Sequence, residues 1–187
     1  GKKTPETLPP EPPQQGQTRK IDRPDGRSYP APMTDPRTFD DRDGLIWWNG
    51  QLVPWRDAKP HVLSHGLHYA SAVFEGERVY GGKVFKLTEH SQRLIESGRI
   101  LGFEIPYTLD EINAATNMVV QANGCTDAYI RPIASRASEM MGVAAQATRI
   151  NLAIATWDWP PYFWPEAKMK GIRLQMADWR RPSPQTA

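Results

Sequence analysis

Three of the chain's four histidines, His61, His65 and His68, fall in the single stretch H-V-L-S-H-G-L-H-Y-A-S-A-V-F-E-G at 61–76. Spaced i, i+4 and i+7, they would share one face if the segment were helical, and three imidazoles are a zinc-ligand set in chemical type. The segment is rich in Gly, Ser and Tyr and sits between two hairpin patterns, which argues against a regular helix and against that shared face. No acidic residue is placed to support the rings, so we read them as packing histidines and predict no metal site. Tyr129 and Arg131 lie two apart in D-A-Y-I-R-P-I-A-S, so on a strand they share one face. A phenol beside a guanidinium can receive a carboxylate; the same pair would also serve as a surface ion pair. Arg93 falls inside a helical pattern, where spacing alone reads it as a solvated helix-face arginine. The single cysteine, Cys125, reads as a small residue at a helix exit rather than a nucleophile.

The elements that must position these groups begin at Gly44. L-I-W-W-N-G-Q-L-V-P-W reads as a hairpin whose Asn49-Gly50 supplies the positive φ angles of a tight turn. E-R-V-Y-G-G-K-V-F-K-L reads as a second hairpin across Gly81-Gly82. If H-Y-A-S-A-V-F-E-G ran as a strand, its alternate side chains would face opposite sides, with Tyr69, Phe74 and Gly76 open to simple core packing. T-E-H-S-Q-R-L-I-E-S-G-R-I-L predicts a helix with Thr88 as its N-cap. T-L-D-E-I-N-A-A-T-N-M-V-V-Q-A-N-G predicts another, with Thr108 and Glu111 forming a capping box, Gly124 ending it, and Ile112, Ala115, Val119 and Ala122 as its apolar stripe. Three strand-like runs follow: D-A-Y-I-R-P-I-A-S, R-I-N-L-A-I-A-T-W and G-I-R-L-Q-M-A-D-W. Hairpins, then two helices, then more strands predict an α+β domain with an antiparallel sheet. Between the last two runs lies W-D-W-P-P-Y-F-W-P-E-A-K-M-K-G, an aromatic loop that could lid the core or wall a ligand or another domain.

Composition sets the surroundings. Nine of the 18 prolines lie at positions 5 to 36, and Tyr29 and Phe39 are the only aromatics before Gly44. Such a segment cannot bury enough apolar surface to offset its ordering entropy. We therefore expect a disordered, proline-rich tail over 1–43, a small α+β domain over 44–178, and the start of an interdomain linker over 179–187. With 23 basic and 21 acidic residues in 187, the charge balance favours neither nucleic acid nor a membrane surface as partner. One cysteine excludes an internal disulfide framework, no apolar run is long enough to span a bilayer, and the opening residues lack the apolar centre of a secretion signal. The expected location is cytoplasmic.

The string W-N-G-x-x-V-x-W-x-D-A-x-x-H-V-x-S-H-x-L-H-Y-x-x-x-V-F-E-G-x-R runs from Trp48 to Arg78, followed in order by E-H-x-x-R-L at 89–94, Y-I-R-P at 129–132 and R-R-P-x-P at the end of the chain. This ordered set resembles the amino-terminal region of branched-chain amino-acid aminotransferases, of the fold-type IV group of pyridoxal 5'-phosphate enzymes, and covers 44–187. The resemblance implies that the histidine-rich stretch is not a metal site and that Arg93 binds the cofactor's phosphate. It places Tyr69 and Phe74 at a substrate-pocket wall and Gly76 where backbone must come close. Such a wall suits leucine, isoleucine and valine side chains, each stabilised by roughly 1.5–3 kcal/mol on burial. Tyr129 and Arg131 would let the same pocket accept glutamate or 2-oxoglutarate, and Trp159 and Tyr162 resemble further pocket residues.

Amino transfer through pyridoxal phosphate needs a lysine. None of the eight, Lys2, Lys3, Lys20, Lys59, Lys83, Lys86, Lys168 and Lys170, stands in a family-like lysine context. The resemblance implies that the Schiff-base lysine and a second, larger domain lie beyond residue 187, so that this chain alone would be inactive and would hold no catalytic residue of its own. It also implies a homo-oligomer. Two other readings stand beside it: another enzyme of the same group, a D-amino-acid aminotransferase or an aminodeoxychorismate lyase, and a non-catalytic dimerisation or interaction module.

Overall fold

A computed structural model of the chain describes residues 38–159, 169–171, 173–183 and 185. The expected tail up to residue 37, and Tyr162, lie outside the described residues. Strands β1 (Leu45–Trp48) and β2 (Gln51–Pro54) form the first hairpin. Its turn is built as the Asn-Gly pair predicts, with φ of 47° at Asn49 and 100° at Gly50. A five-residue helix, α1 (His65–Tyr69), leads into β3 (Ala72–Phe74), β4 (Glu77–Tyr80) and β5 (Lys83–Val84). Helices α2 (Leu87–Ile100) and α3 (Leu109–Ala122) follow, and then two long strands, β6 (Asp127–Arg136) and β7 (Ile150–Trp157).

The seven strands make one antiparallel sheet in the order β2-β1-β7-β6-β4-β5, with β3 also pairing β6. The expected α+β architecture is borne out. β6 pairs with β7 on one side from Tyr129 to Arg136. On the other side it pairs with β4 near its start and with β3 near its end.

Side chains alternate across the sheet. Ala128, Ile130 and Ala134 of β6, Leu152 and Ile154 of β7, Trp47 and Val79 face α2 and α3. There they meet Leu94, Ile112, Ala115, Val119 and Val120 in the main core. On the opposite face a smaller apolar cluster gathers Ile46, Trp55 and Ala153. The exit of α3 is tied to the first hairpin by Asn123, whose side chain accepts from the Leu45 N–H and donates to the Leu45 carbonyl, each at 2.9 Å. Gly44 is required beside it: its φ is +113°, and a Cβ there would come within 2.5 Å of Asn123 Oδ1.

The capping box is present. Glu111 N–H donates to Thr108 Oγ1 at 3.3 Å, and Thr108 N–H donates to Glu111 Oε2 at 2.7 Å. Gly124 follows the helix at φ +63°. Four expectations are corrected. His65–Tyr69 forms one turn of helix where the Gly- and Ser-rich stretch argued against one. α2 starts earlier than Thr88: Lys86, in left-handed conformation with no side-chain cap bond, occupies the cap, because the chain leaves the Gly81-Gly82 hairpin already turning. The α3 stripe is rotated. Ala122 is exposed, while Thr116 and Val120 are buried beside Ile112, Ala115 and Val119. Finally, the described part of 171–179 forms no strand, and Leu174, Met176 and Trp179 are exposed; apolar alternation makes a strand only where a neighbouring edge offers hydrogen bonds.

Thr38–Asp43, which the sequence places in the tail, contact the domain. The Phe39 carbonyl accepts from Trp55 Nε1 at 2.6 Å, Arg42 is buried, and Arg56 bonds Asp41 and Asp43.

The two helix starts give a paired test. Thr108→Ala removes a cap and is expected to lower stability by about 1 kcal/mol, whereas Thr88→Ala, inside the first turn of α2, should change it by less than about 0.5 kcal/mol. Urea denaturation of both variants followed by circular dichroism reads the difference.

Candidate functional site

The site grows from one interruption in the sheet. β3 and β4 pair β6 in a single continuous register, Phe74 with Ile133 and Glu77 with Ile130. Glu75 and Gly76, between them, lie opposite Pro132 and Arg131. Pro132 has no N–H, so the ladder loses a bond there. The remaining one, from the Glu75 N–H to the Pro132 carbonyl, is kept at 3.0 Å. A proline inside a central strand thus opens a two-residue gap, and the chemistry-bearing side chains leave from its two faces.

On the open face, the Tyr129 hydroxyl accepts from Arg131 Nε at 3.1 Å and Nη2 at 2.9 Å. The Arg131 guanidinium also lies 4.3 Å from the Phe74 ring centre. Gly76 is needed beneath them, because an added Cβ would collide with the Tyr129 hydroxyl. Tyr129 is walled by Trp159 and Trp157, at ring-centre distances of 4.9 and 5.0 Å. Phe39 and Trp55 close the same aromatic group around Trp157. Along this face a cavity of about 270 Å³ runs past Arg131, lined by apolar side chains including Ile46, Trp48, Pro60, Ile133 and Ala153.

On the helix face, Glu75 is a buried carboxylate held in a fork. Arg93 Nε donates to Oε1 and Arg93 Nη2 to Oε2, both at 2.6 Å, and His90 Nδ1 lies 2.9 Å from Oε2. Burial pushes the Glu75 carboxyl up, but the hydrogen bonds from Arg93 and His90 outweigh it and leave it below the ordinary carboxylate range. Glu77, two residues on and on the same face, is only 1% exposed, and neither of its carboxyl oxygens has a hydrogen-bond partner among the described residues. Burial, reinforced by the charge of Glu75 and opposed by Arg93, raises its pKa to about 8. Two carboxyls two residues apart therefore take opposite protonation states at neutral pH.

Of the residues singled out in the sequence, the structure gathers Phe74, Gly76, Tyr129, Arg131 and Trp159 on one face. Arg93 joins them only through Glu75, on the other. Tyr69 is held elsewhere: its ring stacks on His65 at 4.4 Å and its hydroxyl donates to the Met141 carbonyl at 3.0 Å. Tyr162 lies outside the described residues. The three histidines each have their own attachment. His65 bonds Ser71 and the Gly142 carbonyl, His68 the Val62 carbonyl, and the His61 ring the Leu63 N–H. Among the described residues no group of His, Cys, Asp or Glu side chains is placed to share a metal ion.

Sequence reasoning missed Glu75, Glu77 and His90 as functional neighbours, and Phe39 and Trp157 as aromatic walls. The Glu-Gly-Glu string in an otherwise apolar strand was the available signal, since two acids at i and i+2 must share a face. Cys125, partly buried against Asn123 and Thr156, has its thiol pushed up by burial, as suits a packed residue at a helix exit.

The model of the amino-transferase class IV family matches residues 72–187. The chain belongs to that family. The branched-chain-amino-acid aminotransferase of Pseudomonas aeruginosa is 45% identical over 145 residues, which cover 75% of this chain and 47% of that protein. The crystal structure of a branched-chain aminotransferase from the archaeon Thermoproteus uzoniensis with norvaline aligns at TM-score 0.71 and 34% identity, over 78% of this chain and 49% of that one. A structure of the branched-chain amino acid aminotransferase from Escherichia coli aligns at TM-score 0.69 and 37% identity, over 78% of this chain and 48% of that one. The class IV amino-transferase chain thus spans about half the length of the curated relatives it matches. The family resemblance read from the motifs is borne out.

Glu77 makes a pH-dependent contribution of known sign. Its folded pKa, about 8, lies above the ordinary 4.5, so the folded chain binds this proton more tightly than the unfolded one. The associated stability is full below about pH 4.5 and is lost as pH rises towards 8. Glu77→Gln, which mimics the protonated side chain, should match the wild type at pH 4.5 and exceed it at pH 8.5 by on the order of 3 kcal/mol. The difference between the two denaturation curves across this range measures it.

Proposed function

We propose that this chain forms part of a pyridoxal phosphate-dependent branched-chain amino-acid transaminase, moving amino groups between leucine, isoleucine or valine and 2-oxoglutarate. The observation that carries the reading is the Arg131–Tyr129 pair on the open face. A guanidinium already oriented by a phenol, and backed by the Phe74 ring, is a carboxylate receptor set in an apolar and aromatic wall. One site then serves two unlike substrates. An aliphatic side chain packs against Phe74, Trp157 and Trp159, while the second carboxylate of glutamate or 2-oxoglutarate pairs with Arg131 and Tyr129. Tyr162 belongs to the same proposed wall, whereas Tyr69, held by His65 and the Met141 carbonyl, does not meet the other wall residues within this chain.

Pyridoxal phosphate, when bound, supplies the electron sink for the transfer. Arg93 fits its phosphate: Nε and Nη2 are engaged by Glu75, no hydrogen bond occupies Nη1 among the described residues, and the side chain is 60% exposed. Gly76, without a side chain, leaves room at the strand gap for the Tyr129 hydroxyl of the proposed receptor. Among the described lysines, Lys86 pairs with Glu89, and Lys59, Lys83 and Lys170 are exposed without a bond to Tyr129 or Arg131. The reading takes the catalytic lysine to lie outside residues 1–187, in the half of the relatives' length that this chain does not span, so that the chain by itself carries no transamination.

A homo-oligomer belongs to the same reading, supported by the exposed apolar side chains of Val62, Leu63, Leu67 and Val143. So does a cytoplasmic location, supported by the single free cysteine. No helix among the described residues is long and apolar enough to cross a membrane. The presence of the Tyr–Arg receptor favours branched-chain transamination over the D-amino-acid and aminodeoxychorismate alternatives.

Reading the coding DNA past codon 187 comes first. An open frame continuing into a lysine-bearing second domain is expected; a stop codon there would remove the enzyme reading and bring forward the non-catalytic module. In the protein from the continued frame, Arg131→Ala should slow the 2-oxoglutarate half-reaction by roughly 10–100-fold, the loss of a charge-assisted bond. The leucine half-reaction should change by less than about 3-fold. Equal losses in both would remove the carboxylate-receptor role.

A further inference from the structure

Arg93 is an arginine on a helix surface, 60% exposed, and such a side chain samples many rotamers unless something holds it. Here it is held by one group. Glu75 is only 7% exposed and is itself fixed twice: by its N–H to the Pro132 carbonyl at 3.0 Å and by His90 Nδ1 at 2.9 Å. Its two oxygens take Nε and Nη2 of Arg93 at 2.6 Å each. This is a planar, two-point grip that determines the direction of the guanidinium plane.

We propose that Glu75 is a positioning residue for an anion-binding arginine: its buried carboxylate locks the Arg93 guanidinium so that the Nη1 edge is presented to a phosphate ester. The inference rests on the phosphate contact proposed for Arg93. The groups around the fork agree with it. Glu77, the other acid on this face, is buried and holds its proton at neutral pH, so Arg93 answers to one carboxylate and not two. His90 Nδ1 lies 3.0 Å from Arg93 Nη2, but while it donates to Glu75 Oε2 it cannot also accept from Arg93, so Glu75 alone holds the fork.

Charge and positioning make opposite predictions for Glu75→Gln. Removing a negative charge beside Arg93 should strengthen attraction for a phosphate dianion. Positioning predicts the reverse. A glutamine can accept only one of the two arginine N–H groups and turns its own NH2 against the other, so the fork breaks and the guanidinium is released.

The test uses the full chain and two ligands that cannot form Schiff bases with surface lysines, pyridoxine 5'-phosphate and pyridoxine, titrated by calorimetry. Glu75→Gln is expected to weaken the phosphate ester about 10-fold, or about 1.4 kcal/mol, and to leave pyridoxine unchanged. Equal or tighter binding of the ester would overturn the proposal. Arg93→Ala separates the two ideas: if it fails to weaken the ester, the phosphate role of Arg93 itself is lost. A second measurement stands apart from binding. In 15N NMR of the wild type, the Arg93 Nε–H should be protected from solvent exchange, and in Glu75→Gln it should exchange as a free arginine does. Should that variant fail to fold, the wild-type signal decides alone, and exchange at the free-arginine rate would sink the proposal.

Discussion

Pro132 has no N–H to give the strand beside it, and the sheet is organised around that gap. β6 carries the largest share of the pairing, with β7 on one side and β3 and β4 on the other. The register does not slip across the break, so the gap is a missing bond rather than a bulge. Because the register is kept, the alternation of side chains is kept too. Glu75 and Glu77 stay on the helix face, and Phe74, Gly76 and Arg78 stay on the open one. A one-residue slip would exchange the two sets and send both acids to the open face.

This division explains how one short segment can serve two kinds of recognition. The open face provides a guanidinium and a phenol in an aromatic wall, suited to a carboxylate and an aliphatic side chain. The helix face provides a second guanidinium, bound to a buried acid and suited to phosphate. The two arginines are held in related ways: Arg131 by its donors to the Tyr129 hydroxyl, Arg93 by its donors to the Glu75 carboxylate. In each case the side chain loses rotamer freedom in the folded chain before any ligand arrives, which lowers the ordering that binding would otherwise require.

Much of this was legible in the sequence, for local reasons. Asn49-Gly50, Gly81-Gly82, Thr108 with Glu111, and Gly124 each act within a few residues, and each forms as its chemistry requires. The shared face of Tyr129 and Arg131 followed from strand periodicity alone. What failed depended on tertiary context. The start of α2 was set by how the chain leaves a hairpin, and the buried face of α3 by where the sheet lies, which turned Ala122 outward and Val120 inward. Residues 171–179 have a strand-like pattern, but no pattern can supply the edge they would need. Glu75 was invisible as an anchor because its partners, Arg93 and His90, are 18 and 15 residues away, and no short-range rule connects them.

The pair Glu75 and Glu77 shows how far environment overrides residue type. Both are glutamates, both are buried, and they sit two residues apart on one face. Burial raises both carboxyls, and their mutual repulsion disfavours ionising the two together. Glu75 escapes because it has Arg93 and His90 within hydrogen-bond distance; Glu77 has no hydrogen-bond partner among the described residues and keeps its proton. The asymmetry follows from α2, which brings Arg93 and His90, one turn apart, onto Glu75 and leaves Glu77 beneath the helix. A buried acid with no partner lowers stability when it ionises, so the sheet tolerates Glu77 only as a neutral group. Its neutrality in turn leaves Arg93 with a single carboxylate, and a guanidinium with one carboxylate retains an edge for a phosphate.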